Sequence, residues 1–502
     1  MYTLIITQIP PRDTCRRHFF SFFPHLPSRA PRRTQNRLRC DGAAVYNAEE
    51  NRGRSGRGRR MPGSAPRRTP HKEEDTMATN TQKQLRNLTM YSIYVRNYSE
   101  EGTFEAVRRD LPRIRALGVD LLWFLPIHPI GRAGRKGTLG SPYAISDYRA
   151  VNPEYGTRED FVRLVDEAHR LGMRCLIDVV YNHTAPDSVL AREHPEWFYH
   201  RPDGTFGNRI GDWTDVIDLD YSHPGLWDYQ IETLCQWAAI VDGFRCDVAP
   251  LVPLAFWLRA REAVEAVRPG CLWLAETVEP EFIAACRAAG IPALSDGEAY
   301  QAFDVCYEYD VYQDLERYLL GKGSLEDYAA ALNRQESLYP DNYVKLRFLE
   351  NHDRARAHFL IPDGRALKNW TAFLYLQKGL TLLYAGQEYA CTHRPSLFEK
   401  DVVPCAGEAP LSGLLAALAR IRKDPRLTDS RYAVRALPGD ALLCTHRSAA
   451  GTLAGAFSLR GTPAVLETGL PDGVYENRID GSAVEIVNGW LRSTGEPVIL
   501  GF

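Results

Sequence analysis

The chain has 502 residues, 44% hydrophobic and 25% charged, which is ordinary for a globular protein and long enough for two or three domains. Its formal net charge is -2, but residues 1–76 hold 16 Lys and Arg against 7 Asp and Glu, leaving 45 against 56 for the remainder. That acidic body argues against nucleic acid as a substrate, no apolar run reaches the length of a membrane span, and eleven cysteines with no CxxC pair or regular spacing read as reduced thiols of a cytoplasmic protein.

Residues 1–76 are rich in Arg and Pro and lack periodicity, and Arg52 to Arg60 is low in complexity. They read as a basic extension that is disordered or untranslated, not as a folded domain. Lys72 to Met77 (KEEDTM) can be encoded by a purine-rich ribosome-binding sequence followed by a start codon. In a bacterial gene this makes Met77 the expected start and the preceding residues dispensable.

From Thr89 onward, short apolar strands alternate with amphipathic helices. Strands are expected at Met90–Val95, Asp120–Pro126, Met173–Val180, Val241–Asp247, Cys271–Glu276, Phe303–Tyr307, Tyr343–Leu349 and Leu380–Tyr384. Helices are expected at 104–117, 158–171, 226–239, 254–267, 280–289 and 368–377, with Gly118 and Gly172 as stops. Strands apolar on both faces belong to a parallel sheet covered by helices. Eight such units predict an α/β fold, a (β/α)8 TIM barrel over residues 77–425, with a short insertion at 184–223 after the third strand. From 426 to 502, short β runs and turn residues such as Asn488-Gly489 predict a C-terminal antiparallel β-sandwich.

Active sites of such barrels lie at the C-terminal ends of the strands. Here strand three ends with Asp178, Asn182 and His183, strand four with Arg245 and Asp247, strand five with Glu276, and strand seven with Glu350, Asn351, His352 and Asp353. Arg245 and Asp247 lie two residues apart and so face the same side of a strand. Alone, such a pair reads as a structural ion pair. Four polar clusters on four strands instead describe one charged mouth. Paired carboxylates suit glycoside hydrolysis. Arg245 is expected to hold Asp247 ionised. Glu276 ends the apolar run Leu272 to Ala275, so burial is expected to raise its pKa as a general acid requires. A retaining mechanism expects the two carboxyls about 5–5.5 Å apart.

These motifs, Asp178-x-Val180-x-Asn182-His183, Gly243-Phe-Arg245-x-Asp247, Glu276 and Glu350-Asn351-His352-Asp353, resemble the signature of the α-amylase family of retaining glycoside hydrolases. The likeness runs from about Thr89 to Phe502. It implies Asp247 as nucleophile, Glu276 as general acid/base and Asp353 as the third carboxylate that holds sugar hydroxyls. It implies His183 and His352 as hydrogen-bonding partners of the sugar, Arg245 as the residue orienting the nucleophile, Asp178 as its partner and Asn182 beside them. Tyr143 matches a tyrosine that stacks on the same sugar, and Asp218 the short motif closing the insertion. The sequence departs from the family where Lys-His often follows the nucleophile, since Pro250 and Leu251 stand there. No cofactor is expected. A structural calcium is possible but not expected, because the short insertion offers few oxygen ligands beyond Asn182, Asp218, Asp187, Asp203, Asp212 and the Leu251 carbonyl. Val248 after the nucleophile is shared with some α-1,6-acting relatives. The implied activity is retaining hydrolysis of α-1,4 bonds in maltodextrins or starch, with α-glucan as partner, and no nucleic acid or membrane. The alternatives are α-glucosidase, neopullulanase-like or glucan transferase activity, and, from another class, a catalytically silent binding protein.

Overall fold

The structure is a computed structural model; it describes residues 80–502, apart from 212, 405, 406 and 408. The extension at 1–76, the expected start at Met77 and Asp212 lie outside the described residues. The strands in chain order are β1 (Thr89–Ile93), β2 (Leu121–Phe124), β3 (Arg174–Val179), the two-residue β4 (His183–Thr184) and β5 (Ile217–Asp218), β6 (Gly243–Cys246), β7 (Leu272–Ala275), β8 (Val305–Tyr307), β9 (Lys345–Arg347) and β10 (Leu380–Tyr384). Eight of them close into a parallel barrel in the order β1-β10-β9-β8-β7-β6-β3-β2, as the sequence predicts. Their residues are almost all buried because side chains pack inside the barrel on one face and under helices on the other.

The helices start where polar side chains can accept free backbone N–H groups. Thr103 caps Phe104–Ala116, and Thr157 with Asp160 forms a capping box on Arg158–Arg170. Gly118 and Gly172, at φ 86 and 76, turn the chain out of these helices and into β2 and β3. Tyr309–Leu319 and Leu325–Leu338, between β8 and β9, were not expected from the sequence. The first buries Tyr309, Tyr312, Leu315 and Tyr318 at helical spacing, but this stripe is largely tyrosine and the strands flanking the pair have only three residues each. The insertion after β3 is pinned to the barrel mouth by β4, which pairs with β5 through His183 opposite Asp218 and Thr184 opposite Ile217.

Beyond Ser412–Arg422 come β11 (Arg431–Leu437), β12 (Ala441–Ser448), β13 (Gly451–Ser458), β14 (Ala464–Glu467), β15 (Gly473–Glu476), β16 (Ala483–Val487), β17 (Trp490–Ser493) and β18 (Val498–Gly501). They form two antiparallel sheets, β11-β12-β13-β18 and β14-β17-β16-β15. The sheets share a core that includes Leu443, Ala454, Leu466, Ile486, Leu491 and Leu500. Asn488 and Gly489, at φ 54 and 76, make the β16–β17 turn that their sequence signals.

Candidate active site

Arg245 occupies the centre of the mouth. It lies on β6, fully buried, and its Cα pairs with Asp178 on β3 and with Leu274 on β7. Its guanidinium lies over the rings of Trp123, at 5.0 Å, and Tyr307, at 5.4 Å, and Nε donates to the Tyr307 hydroxyl at 3.2 Å. Nη1 donates to Asp178 at 2.8 and 3.1 Å and to Asp247 Oδ1 at 2.9 Å. Nη2 stands 2.9 Å from Glu276 Oε1 as an ion pair, without the alignment of a hydrogen bond. One guanidinium thus serves three buried carboxylates.

That sharing corrects one expectation. Arg245 does pull the Asp247 carboxyl down, but burial pushes it up more strongly, and the net direction is upward. Burial also pushes Asp178 up to about 8, against Arg245 and with help from the neighbouring carboxylates Asp247 and Glu276. Glu276 is raised by burial, as expected, while Arg245 opposes and Asp247 reinforces the shift. A single positive charge does not neutralise three carboxylates in low dielectric, so the three titrate as a coupled set shifted upward.

Glu276 has a second partner that its strand composition does not reveal. The backbone N–H of Val248 donates to Glu276 Oε2 at 2.9 Å. Val248 follows Asp247 directly and sits at φ 41, ψ 41. The left-handed region is a genuine outlier for a β-branched residue and costs about 1–3 kcal/mol. The turn stops the chain from continuing β6 upward and aims this amide across at β7.

On the opposite side, Tyr143 OH donates to Asp178 Oδ2 at 3.1 Å and lies 2.7 Å from His352 Nε2. The Tyr143 and His352 rings are nearly parallel, 15° apart with centroids at 5.6 Å. His352 Nε2 also stands 3.2 Å from Asp353 Oδ2. Burial pushes Asp353 up, but His352, Arg245 and Arg354 pull its carboxyl below the ordinary range. Burial lowers His183 and His352 to about 4 each, so both rings are neutral at pH 7. The Asn182 amide donates to His183 Nδ1 at 3.2 Å. This fixes the tautomer, leaving the N–H on Nε2. Nε2 points toward Asp247 Oδ2, 3.9 Å away, and neither atom has a hydrogen-bond partner among the described residues. These buried polar atoms face one another across a gap that a ligand hydroxyl would satisfy.

The structure therefore brings Asp178, His183, Arg245, Asp247, Glu276, Tyr143, His352 and Asp353 together. Asn182 reaches the cluster through His183. Trp123, Tyr307 and Trp213 were missed, as was the left-handed turn at Val248. Trp123 and Tyr307 read as barrel-core aromatics, and a valine gives no turn signal. Trp213, in the insertion, packs against His183 at 5.6 Å, and nothing in its spacing points there.

Three of the candidate calcium ligands already have protein partners. Both oxygens of Asp218 accept hydrogen bonds, from the Asn208 side chain and the Arg209 N–H. Asp187 accepts the N–H groups of Arg132 and Ala133, and Asp203 is bonded to Thr205. Among the described residues no three His, Cys, Asp or Glu side chains group as metal ligands.

A closed parallel barrel with paired carboxylates at its mouth and an antiparallel sandwich behind it defines an amylase-type glycoside hydrolase or transferase. The chain belongs to the α-amylase family: residues 70–409 match the family model for the α-amylase catalytic domain, and residues 433–500 match that of the bacterial α-amylase C-terminal domain. It is similar to an α-amylase from Lactobacillus plantarum, 49% identical with a TM-score of 0.82, covering 84% of this chain and 100% of that one. It is also similar to a noncanonic maltogenic α-amylase from Thermotoga neapolitana, 34% identical with a TM-score of 0.75, covering 84% and 99%. Among curated proteins it is similar to the α-amylase MalA of Haloarcula japonica, 29% identical over 72% of this chain and 53% of that one. It is likewise similar to an α-1,4-glucan:maltose-1-phosphate maltosyltransferase of Rhodospirillum rubrum, 39% identical over 53% of this chain and 38% of that one. The chain spans about half, or less, of the length of these curated relatives.

Proposed function

We propose that the protein is a retaining hydrolase of α-1,4-glucosidic bonds in maltodextrins or starch fragments. The observation that carries this reading is the single buried guanidinium of Arg245 set between Asp247 and Glu276. It holds two carboxyls in one mouth on adjacent strands, as attack and leaving-group protonation on one sugar require. Asp247 attacks the anomeric carbon. Glu276 protonates the departing oxygen, then deprotonates the water that releases the sugar. Asp353, held anionic, binds sugar hydroxyls. The Nε2–H of His183 and the neutral ring of His352 bind hydroxyls of the same sugar, and the Tyr143 ring forms its wall. Asp178 fixes Arg245, and Asn182 fixes His183.

A second reading, glucan transfer, is favoured by the maltosyltransferases among the relatives. The two reactions share the first half and differ in whether water or a sugar hydroxyl accepts the glycosyl group. Product analysis on maltoheptaose, with and without glucose as acceptor, separates them. Hydrolysis predicts shorter oligosaccharides whose distribution glucose leaves unchanged. Dominant longer or glucose-capped products would assign a transferase, and no turnover at all would sink both readings. A reducing, cytoplasmic setting is supported by the described cysteines, all of which are free thiols and seven of which are buried.

A further inference from the structure

The C-terminal sandwich carries a basic cleft that the chemistry of the barrel does not use. Strands β11 and β12 extend beyond the second sheet. Along their shared inner face, Arg431 lies directly opposite Arg447, Ala433 opposite Thr445, and Arg435 opposite Leu443. Leu443 belongs to the sandwich core. Toward Arg431 and Arg447 the second sheet no longer covers this face, and a cleft of about 640 Å³ opens there. Its wall includes three arginines, Ser448, Thr445 and Thr468, and no carboxylate. Arg435 is anchored, with Nη2 donating to the backbone carbonyls of Glu467 at 2.8 Å and Thr468 at 3.0 Å. Arg431 and Arg447 are exposed and have no ion-pair partner among the described residues. Like charges directly opposite across two strands repel. That arrangement stands out in a chain with acidic residues in excess.

We infer that this cleft binds the phosphate group of a small ligand, either free phosphate or a sugar phosphate monoester. Guanidinium forks match tetrahedral oxyanions, and a dianion neutralises the cross-strand pair where one carboxylate would not. The Thr445 hydroxyl donates to the Ala433 carbonyl at 3.5 Å, and the Ser448 hydroxyl, which accepts the Ala450 N–H at 3.2 Å, donates to the Gly451 carbonyl at 3.4 Å; both donations are long and can turn to a better acceptor. A neutral glucan is disfavoured. Tyr432, the one aromatic in the wall, is buried with its ring 5.0 Å from His446 and offers no face for a sugar.

The test is thermal melting of the whole chain in chloride, inorganic phosphate, glucose 6-phosphate or glucose at matched ionic strength. Phosphate, glucose 6-phosphate or both should raise Tm by about 2 °C over chloride, while glucose does not. The double variant R431S/R447S should melt higher than the wild type in chloride and lose the response. Each single variant should need about tenfold more ligand. A response to glucose 6-phosphate at much lower concentration than phosphate identifies an ester, and an equal response identifies the free anion. No shift over chloride, or the same shift in the double variant, overturns the inference.

Discussion

At the scale of single residues, the site rests on one arginine divided among three carboxylates and on one strained valine. Replacing Arg245 with Met would leave Asp178, Asp247 and Glu276 buried without a counter-charge. Removing one partner of a buried pair costs about 3–5 kcal/mol, so the Tm of Arg245→Met should fall sharply. Its carboxyl pKa values should also rise, because the one group that lowers all three is gone. Any residual activity should then need higher pH to ionise Asp247, and an acidic limb that stays in place would contradict the role given to Arg245. Asp247→Ala should abolish turnover of unactivated maltodextrin while leaving the melting curve cooperative. Glu276→Gln should lose less on a substrate with a good leaving group, which needs little acid help; equal losses on both substrates would remove Glu276 from the acid role. Much of this was legible in the sequence. The two-residue spacing of Arg245 and Asp247 on a strand already places them together. The left-handed turn at Val248 was not legible, because a glycine or asparagine would signal it and a valine does not.

At the scale of elements, continuous apolar runs and helix stops placed all eight barrel strands, because strands buried on both faces tolerate little else. Gly243, at the start of β6, shows how tight this layer is. A Cβ there would lie 2.6 Å from the Leu272 carbonyl oxygen and 2.9 Å from Leu176. Backbone on β7 cannot yield easily, so Gly243→Ala should cost about 1–3 kcal/mol and displace the strand that carries Arg245. Chemical denaturation of the variant measures the loss, and an unchanged midpoint would show that β7 gives way freely. In the sandwich, His446 on β12 lies 2.6 Å from the Leu376 carbonyl through Nε2 and bonds Ser430 through Nδ1. Burial lowers its pKa to about 3. A group with a depressed folded pKa contributes stability above its unfolded value, near 6.5, and loses it as pH falls toward 3, because the unfolded chain takes up the proton first. At pH 5 this amounts to about 2 kcal/mol. The drop in Tm between pH 7.5 and pH 5 should therefore be smaller in His446→Asn than in the wild type; an identical drop would show that His446 titrates normally.

At the scale of the whole molecule, barrel and sandwich are joined by specific bonds. The Asn333 side chain donates to the Val434 carbonyl at 2.7 Å and accepts its N–H at 2.9 Å, and Phe373 packs against Phe457 at 5.6 Å. Phe373 lies on the helix Gly364–Leu376, and removing the sandwich would uncover the face it presents, so a chain ending at Asp429 should be recovered mainly as aggregate. The sandwich itself was legible from its turns, but its docking through Asn333 and His446 was not, since both residues read as ordinary polar positions. The claim that unites the molecule is that all these supports present Asp247 to an anomeric carbon. The direct test is mass spectrometry of Glu276→Gln incubated with maltosyl fluoride, whose fluoride departs without acid help while the missing base slows release. One maltosyl unit attached to the peptide containing Asp247 is the predicted result; no adduct, with the β-anomer as first product, would contradict it.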